Sequence, residues 1–472
     1  MDTDTDTNIY DIIILGGGLS GLRACDLLLK KKKDLKILIL EANNKIGGRV
    51  SSKEYEEKNW DLSGAWCAPS ADQKYVGELI DEIGLKRHTY HAKGKKVMEF
   101  SSDLRKTYSI LIPPIGILQA IEVQLSVWKL ERVISSISDI ETSNIPKAKE
   151  WDGMSAEDWI NQNVRSENAK ILLRVALLST FFEEAKNLSL LYVLLYFRTC
   201  EGIMKAIEDK GGAQQDLIVG GTMQLVEYLY NTIGGAEKVK LDHVVESITN
   251  YDSFPVKITC ANGASFLCKN VLCSIPPPLC KDIVHQPPLP SARQQLVNTM
   301  KMDKVIKFFV YYEKCFWKES GYCGEAVSFR DSVQMCYDAT LQDGTQPCIV
   351  GIFAGNSAEL WSKKTKQERK DEVLDFIHKN LGQENDQRYL SPVRYLEINF
   401  MEERFTPGRC SNIAPKTNFM DFKNSIRDPI KNLFFCGTDT ATKWIGFLDG
   451  ALESAERAAI ELLCKITNNN DN

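Results

Sequence analysis

Gly16, Gly18 and Gly21 stand in a G-x-G-x-x-G spacing, and Glu41 follows the last of them by 20 residues. Those residue types at that spacing suit a dinucleotide. Gly16 permits a tight turn. Gly18 lets the backbone approach a pyrophosphate. Gly21 lets a helix pack closely on a strand, and Glu41 can accept hydrogen bonds from ribose hydroxyls. A little further on, Gly47, Gly48 and Arg49 combine backbone approach with a forked donor that can neutralise phosphate. Lys307 is a single lysine inside the apolar, β-prone run Val305 to Tyr312. A strand lysine usually faces solvent from an edge strand. A buried one has its amine form favoured by desolvation and can orient water or relay a proton. Fourteen cysteines contain no C-x-x-C pair and five histidines form no ligand cluster, so a zinc or iron–sulfur site is not supported. The cysteines read as reduced thiols, most of them buried.

The elements that must position these groups follow from pattern. Ile12 to Leu15 is a short apolar run ending at the glycines, and Leu22, Ala24, Leu27, Leu28 and Leu29 then give helical spacing. Such a helix presents free N–H groups and a partial positive charge to phosphate. Lys30 to Lys33 complement its C-terminal end rather than forming a nucleic-acid or membrane patch. Lys36 to Leu40 is a second strand that delivers Glu41. Residues 90–219 are dominated by helical patterning, as in Ile117 to Ser135 and Ala169 to Thr180, with Ser155 and Asp158 spaced as a capping box. This stretch is expected to form most of a helical lid over a cavity, and pattern alone does not sort its aromatic residues (Phe181, Phe182, Tyr192, Tyr196) into core and lining. Val219 to Gln224 returns to glycine-rich character. Short strands are expected at Lys238 to Leu241, Val244 to Ile248, Val271 to Ser274 and Leu433 to Cys436, and a helix at Gln367 to Leu381.

Length and composition set the bounds. With 472 residues the chain has ample core for two or more domains. Apolar residues make up 43% and charged residues 26%, as in an ordinary soluble globular protein. A net charge of −5 gives no reason to expect a nucleic-acid partner. The polar, acidic start does not resemble a signal peptide, and no apolar run approaches the ~20 residues of a bilayer span. A cytoplasmic protein without a membrane anchor is the expectation.

The order of motifs then resembles the flavin-dependent amine oxidases, nearest the monoamine oxidases: glycine triplet, ribose acid, Gly48-Arg49, Gly64-Ala65-Trp66, and a dense match over Leu433 to Ala459. The similarity runs from about Tyr10 to Leu463. It implies an α/β fold with a Rossmann-like FAD-binding domain of the GR2 type on a parallel sheet and a second, α+β substrate domain, their segments interleaved. The FAD domain is expected at 8–90, 220–297 and 392–465 and the substrate domain at 91–219 and 298–391, with 1–7 and 466–472 as disordered tails. The resemblance places Val245 against the adenine. It gives Gly437, Thr438, Asp439, Gly446, Phe447 and Leu448 to the flavin, with Asp439 reaching ribityl or phosphate-linked groups through solvent. The last helix would point its N-terminus at the pyrimidine end of the flavin. Lys307 would place a water near flavin N5, while Trp444, Phe447 and Cys410 sit where the family shapes its substrate site. Gln214 matches a cavity glutamine if one residue is inserted before it.

Two departures bear on the chemistry. The family's covalent flavin link uses a cysteine that an ungapped match aligns with Arg409, leaving Cys410 one position off, so non-covalent FAD is expected, with a link through Cys410 as the lesser alternative. The family's two substrate-flanking tyrosines match Cys410 and Phe447, which weakens the polar cage and the expectation of ordinary aromatic monoamines. The implied function is FAD-dependent oxidative deamination of a primary or secondary amine: hydride passes to the flavin, the imine hydrolyses to aldehyde, and O₂ becomes H₂O₂. A polyamine oxidase or other FAD oxidoreductase is one alternative; a catalytically impaired flavin-binding regulatory protein is another. The partners implied are a small amine and O₂, with a homodimer as the assembly.

Overall fold

The computed structural model describes residues 5–55, 58–61, 64–89, 93–101, 104–109, 115–137, 145, 147–208, 210–329, 332–341, 343–382, 386–408, 412–415 and 419–468. Cys410 and Arg409 lie outside the described residues, as do residues 1–4 and 469–472.

The first strand, Thr5–Leu15, is the axis of an eight-stranded sheet. Ile37–Leu40 pairs parallel to it on one side and Ser265–Cys273 parallel on the other. Val239–Lys240 extends the sheet beyond Ile37–Leu40, and Leu433–Phe435 pairs parallel with the end of Ser265–Cys273. The sheet is not parallel throughout, because Val245–Thr249, Val256–Cys260 and Ser265–Cys273 form an antiparallel meander. Ile12 to Leu15 are wholly buried because both faces are covered. Ile12 and Ile14 pack with the helices Leu19–Lys31 and Leu448–Asn468, while Ile13 and Leu15 pack with the meander. Ala451, Ala455, Ala458 and Ala459 line the buried stripe of the last helix, so it approaches Leu22, Ala24 and Leu28 closely.

A second sheet of seven strands runs in the order Arg394–Asn399, Val305–Tyr311, Cys348–Ala354, Met335–Asp338, Tyr322–Ser328, Lys95–Ser101, Leu104–Tyr108. Helix Lys366–Leu381 covers its outer face through Val373, Phe376 and Ile377. The helices Ile117–Ser136, Ala156–Asn163, Glu167–Phe181 and Leu190–Thr199 build a separate apolar cluster, the expected lid. Ser155 and Asp158 form a reciprocal capping box at the start of Ala156–Asn163.

Three features differ from the sequence expectation. The first strand begins at Thr5, within the stretch expected to be a tail, because Ser265–Cys273 is long enough to offer Thr5 a partner in Ser265. The last helix continues to Asn468, past the expected end of the FAD segment. Arg394–Asn399, expected in the FAD domain, pairs antiparallel with Ile306 to Tyr311 in the second sheet. Its alternation is masked by charge: Glu397 is buried in an ion pair with Arg369 of the covering helix, 2.5 Å away.

Candidate active site

The turn after the first strand opens a cavity of about 750 Å³ between the two sheets and the lid. Gly16 takes φ +104°, a conformation that disfavours a side chain, and donates its N–H to the Leu40 carbonyl at 2.8 Å. A Cβ on Gly21 would stand 2.2 Å from the Gly16 carbonyl oxygen, so helix and strand meet there as the spacing requires. Gly18 caps the helix Leu19–Lys31 with no side-chain hydrogen bond, and Leu19 and Ser20 also line the cavity. The N–H groups of the first turn are therefore open to a ligand rather than satisfied by a cap.

Glu41 lines the cavity and is held from behind. Its Oε2 accepts the Gly17 N–H at 2.6 Å and its Oε1 the Asn43 N–H at 2.8 Å. Burial raises its carboxyl above the ordinary carboxylate range, against the lowering effect of those bonds. Arg49 also lines the cavity, yet its guanidinium is anchored on Asp439, with Nη2 to Oδ2 at 2.7 Å. Asp439, expected to reach the cofactor through solvent, is instead buried behind Arg49 and off the main cavity wall. The charge it neutralises comes from 390 residues earlier in the chain, which is why spacing did not disclose the pair.

Gly48, Gly64, Ala65, Trp66, Val245, Gly437, Thr438, Gly446, Phe447 and Leu448 all lie on the cavity wall. Thr438 ties the closing motif together: its Oγ1 donates to the Phe447 carbonyl at 2.9 Å and accepts the Gly446 N–H at 2.8 Å. Trp444 lies behind the wall rather than on it. It is 1% exposed, donates Nε1–H to the Asp72 carbonyl at 2.8 Å, and stands edge-on to Phe447 with ring centroids 5.2 Å apart. It therefore supports Phe447 rather than lining the site. Of the lid aromatics, Phe182 and Tyr196 line the cavity, while Phe181 and Tyr192 are core; Gln214 is on the wall.

Lys307 is 1% exposed, in a strand flanked on both sides, so it is not a solvated edge lysine. Strand alternation puts it on the face that carries Phe309 and Tyr311, opposite Ile306 and Phe308. Its Nζ donates to the Asp61 carbonyl at 2.9 Å and lies 5.0 Å from the Phe309 ring centroid. Asp61 stands three residues before Gly64, and the fold gives it a role. Its carboxylate accepts from Ser52 Oγ, Thr222 Oγ1 and Thr222 N–H, all within 3.2 Å. Burial raises its carboxyl, and the Lys307 charge opposes that rise. No local pattern pairs Asp61 with a lysine 246 residues away.

The residues fit FAD. A Cβ on Gly18 would meet nothing in the protein closer than 3.7 Å, so no neighbouring atom requires glycine there; the open space faces the helix N-terminus where a diphosphate would lie. The remainder of the cavity, under the lid, is mainly apolar, with Val123, Val127, Leu173, Leu177 and Leu194 facing Met335 and Ile352 of the second sheet, and Gln124, Ser179, Thr180, Glu208 and Gln214 adding polar groups. Glu325 on this wall is paired with Lys96 at 2.8 Å. Among the described residues no group of three or more potential ligands could hold a metal ion, and no helix is long and apolar enough to cross a membrane.

Residues 19–463 match the family model described as flavin containing amine oxidoreductase. A Dictyostelium discoideum protein described as a probable flavin-containing monoamine oxidase A is 30% identical over 472 residues, 98% of this chain and 99% of that one. The flavin-containing amine oxidase A of Equus caballus is 29% identical over 460 residues, 97% of this chain and 85% of the relative. Among solved structures, the cyclohexylamine oxidase of Brevibacterium oxydans has a TM-score of 0.89 over 98% of this chain and 100% of that chain, at 23% identity. Putrescine oxidase bound to putrescine also has a TM-score of 0.89, over 97% and 99%, at 23% identity. At that identity the two structures speak for the fold alone.

Proposed function

The chain belongs to the flavin-containing amine oxidoreductases, and from that premise we propose that it oxidises amines carrying one charged nitrogen on an apolar body. Its cofactor is FAD and its small-molecule partners are an amine and O₂. When bound, the flavin supplies the chemistry, accepting a hydride from the carbon beside nitrogen and passing the electrons to O₂.

The protein's part is to bind, orient and exclude water. The first-turn N–H groups of Leu19–Lys31 and the Asp439-anchored Arg49 would hold the diphosphate, and Glu41 the ribose. Thr438, Gly446 and the start of Leu448–Asn468 would hold the far end, where a helix N-terminus favours the negative charge of the reduced state. Lys307 lies behind the cavity wall, and its amino group, fixed by the Asp61 carbonyl, would hold a water toward the ring. Phe447, backed by Trp444, would present a ring face to the substrate without the hydroxyl of the usual tyrosine. No general base is needed if the neutral amine reacts. The FAD is non-covalent in this reading.

The observation that carries the substrate class is the lid chamber, whose walls are mainly apolar and whose two acidic groups, Glu325 and Glu208, both already interact within the protein, Glu325 with Lys96. A polyamine would place a second cation there without a free carboxylate, at a large desolvation penalty. The test is anaerobic titration of the yellow protein with a panel of apolar monoamines and of diamines, following flavin absorbance near ~450 nm. Bleaching by monoamines at lower concentration than by diamines is expected. A reversed order refutes the substrate class, and a yellow protein that no amine bleaches supports the regulatory flavin-binding reading instead. Acid precipitation should leave the colour in the supernatant. A cytoplasmic setting and a homodimer complete the proposal and are read by cell fractionation and light scattering.

A further inference from the structure

One buried cluster beside the cavity takes no part in the reaction above. Cys273 ends the strand Ser265–Cys273, and Cys280 lies in the 3-10 turn Pro277–Asp282 that follows it. Both are buried and their Sγ atoms are 3.8 Å apart. Next to them Arg293, on helix Ser291–Thr299, is 2% exposed. Its Nη1 donates to the carbonyls of Ser425 at 2.7 Å and Ile426 at 3.2 Å, and its guanidinium lies 3.6 Å from the Phe435 ring centroid. Among the described residues no carboxylate pairs with it. A buried cation without an anion is unfavourable, and the two thiols are the acidic groups that feel its charge.

The pair is chemically unequal. A hydrogen bond from the Cys280 thiol, joined by the Arg293 charge, holds Cys273 below the ordinary thiol range against the effect of burial, while Cys280 is pushed well above it. Other buried thiols differ: burial pushes Cys25 and Cys200 up to about 12. Thiolate, not thiol, is the reactive form. Neither sulfur is on the cavity wall, but the residues between the two cysteines are: Ser274, Ile275, Pro276 and Leu279 line the cavity, which leaves the pair one residue layer behind it.

We propose that Cys273 and Cys280 form a peroxide-reactive dithiol, which hydrogen peroxide released into the adjoining cavity converts to a disulfide. The Cys273 thiolate attacks one peroxide oxygen, the O–O bond breaks, and the leaving hydroxide takes a proton to become water. Cys273 is now a sulfenic acid. The Cys280 sulfur then attacks Cys273 sulfur, the S–O bond breaks, and hydroxide leaves with the Cys280 proton as a second water. Two thiols lose two electrons, and one peroxide becomes two waters. The amine oxidase reading supplies the source of the peroxide and nothing else in the scheme.

Trypsin releases both cysteines in one peptide, residues 270–281, between Lys269 and Lys281. The resting FAD-bound protein is treated with about a tenfold molar excess of H₂O₂, denatured in iodoacetamide and digested. The expected result is a peptide lacking two hydrogens and both alkyl groups, restored to the doubly alkylated form by dithiothreitol. Exposed Cys464 serves as the internal reference for peroxide exposure. A doubly alkylated 270–281 peptide in a sample whose Cys464 has been oxidised overturns the dithiol, as does a sulfinic acid in place of the bridge. Cys280→Ser should stop at a sulfenic acid on Cys273 that dimedone traps; the wild-type measurement stands alone if that variant does not fold. Amine turnover with catalase in the bulk should still close the bridge, and an open pair after turnover overturns the cavity as its peroxide source while added peroxide judges the dithiol separately.

Discussion

At the residue scale, Lys307 and the glycines of the first turn make separable predictions. Lys307→Met keeps the volume of a buried straight chain while removing the amino group above Phe309. FAD should stay bound, and turnover should fall about tenfold or more, read by stopped-flow reduction and reoxidation. Unchanged rates in both half-reactions would take Lys307 out of the mechanism. Gly21→Ala drives a methyl to 2.2 Å from the Gly16 carbonyl, a backbone clash that should destabilise the chain by about 1–3 kcal/mol even without cofactor. Gly18→Ala has 3.7 Å of clearance and should leave the apoprotein's urea midpoint within about 0.5 kcal/mol of wild type. Its FAD affinity should still drop, because the new methyl occupies the space a diphosphate needs. Equal FAD binding by the two variants would refute that division of labour.

At the element scale, strong local patterns were readable and charged strands were not. The helix expected over Gln367 to Leu381 is Lys366–Leu381, and its capping box on Thr365 and Glu368 explains its sharp start. The capping box at Ser155 is likewise present, so Ser155→Ala should lower stability by about 1 kcal/mol and leave the cofactor spectrum unaltered. A spectral shift would mean that the lid's first turn reaches the flavin. Arg394–Asn399 escaped because Arg394 and Glu397 interrupt its period-two signal, and only the partner Arg369 reveals that Glu397 belongs inside. The pairing of Val305–Tyr311 on both edges could not be known from the strand itself. That pairing is what turns Lys307 from a surface residue into a buried one.

At the scale of the whole molecule, distant segments are tied at a few buried polar points. Arg49 and Asp439 join the first and last parts of the cofactor cavity, and Asp449 joins the last helix to the helix Lys74–Ile83. Asp449 is 1% exposed, accepts the Val76 N–H at 2.9 Å, and burial raises its carboxyl to about 6. The folded state thus holds this proton more tightly than the unfolded chain, whose carboxyl titrates near ~3.9. The stability linked to it is fully present below pH ~4 and is lost as pH rises through about 6. The difference amounts to about 3 kcal/mol. Asp449→Asn keeps an acceptor for Val76 without the charge, so its urea midpoint should change less between pH 4 and 6 than that of the wild type. An unaltered slope would show that Asp449 does not carry this dependence. Saturating FAD should raise Tm in both proteins, since it binds only the folded chain.

By itself the sequence determined the local grammar: which run is a buried strand, where a helix opens without a side-chain cap, where glycine permits close approach, and in what order these motifs come. That information is carried by neighbours within a few residues, where periodicity and backbone sterics act. Only the tertiary structure decided that Arg49 leans on Asp439, that Lys307 is held by the Asp61 carbonyl, that Trp444 stands behind Phe447, and that Cys273 and Cys280 share the charge of Arg293. Each of these is a contact between groups whose burial must be compensated, and the compensating partner can come from anywhere in the chain once the sheets have closed around the cavity.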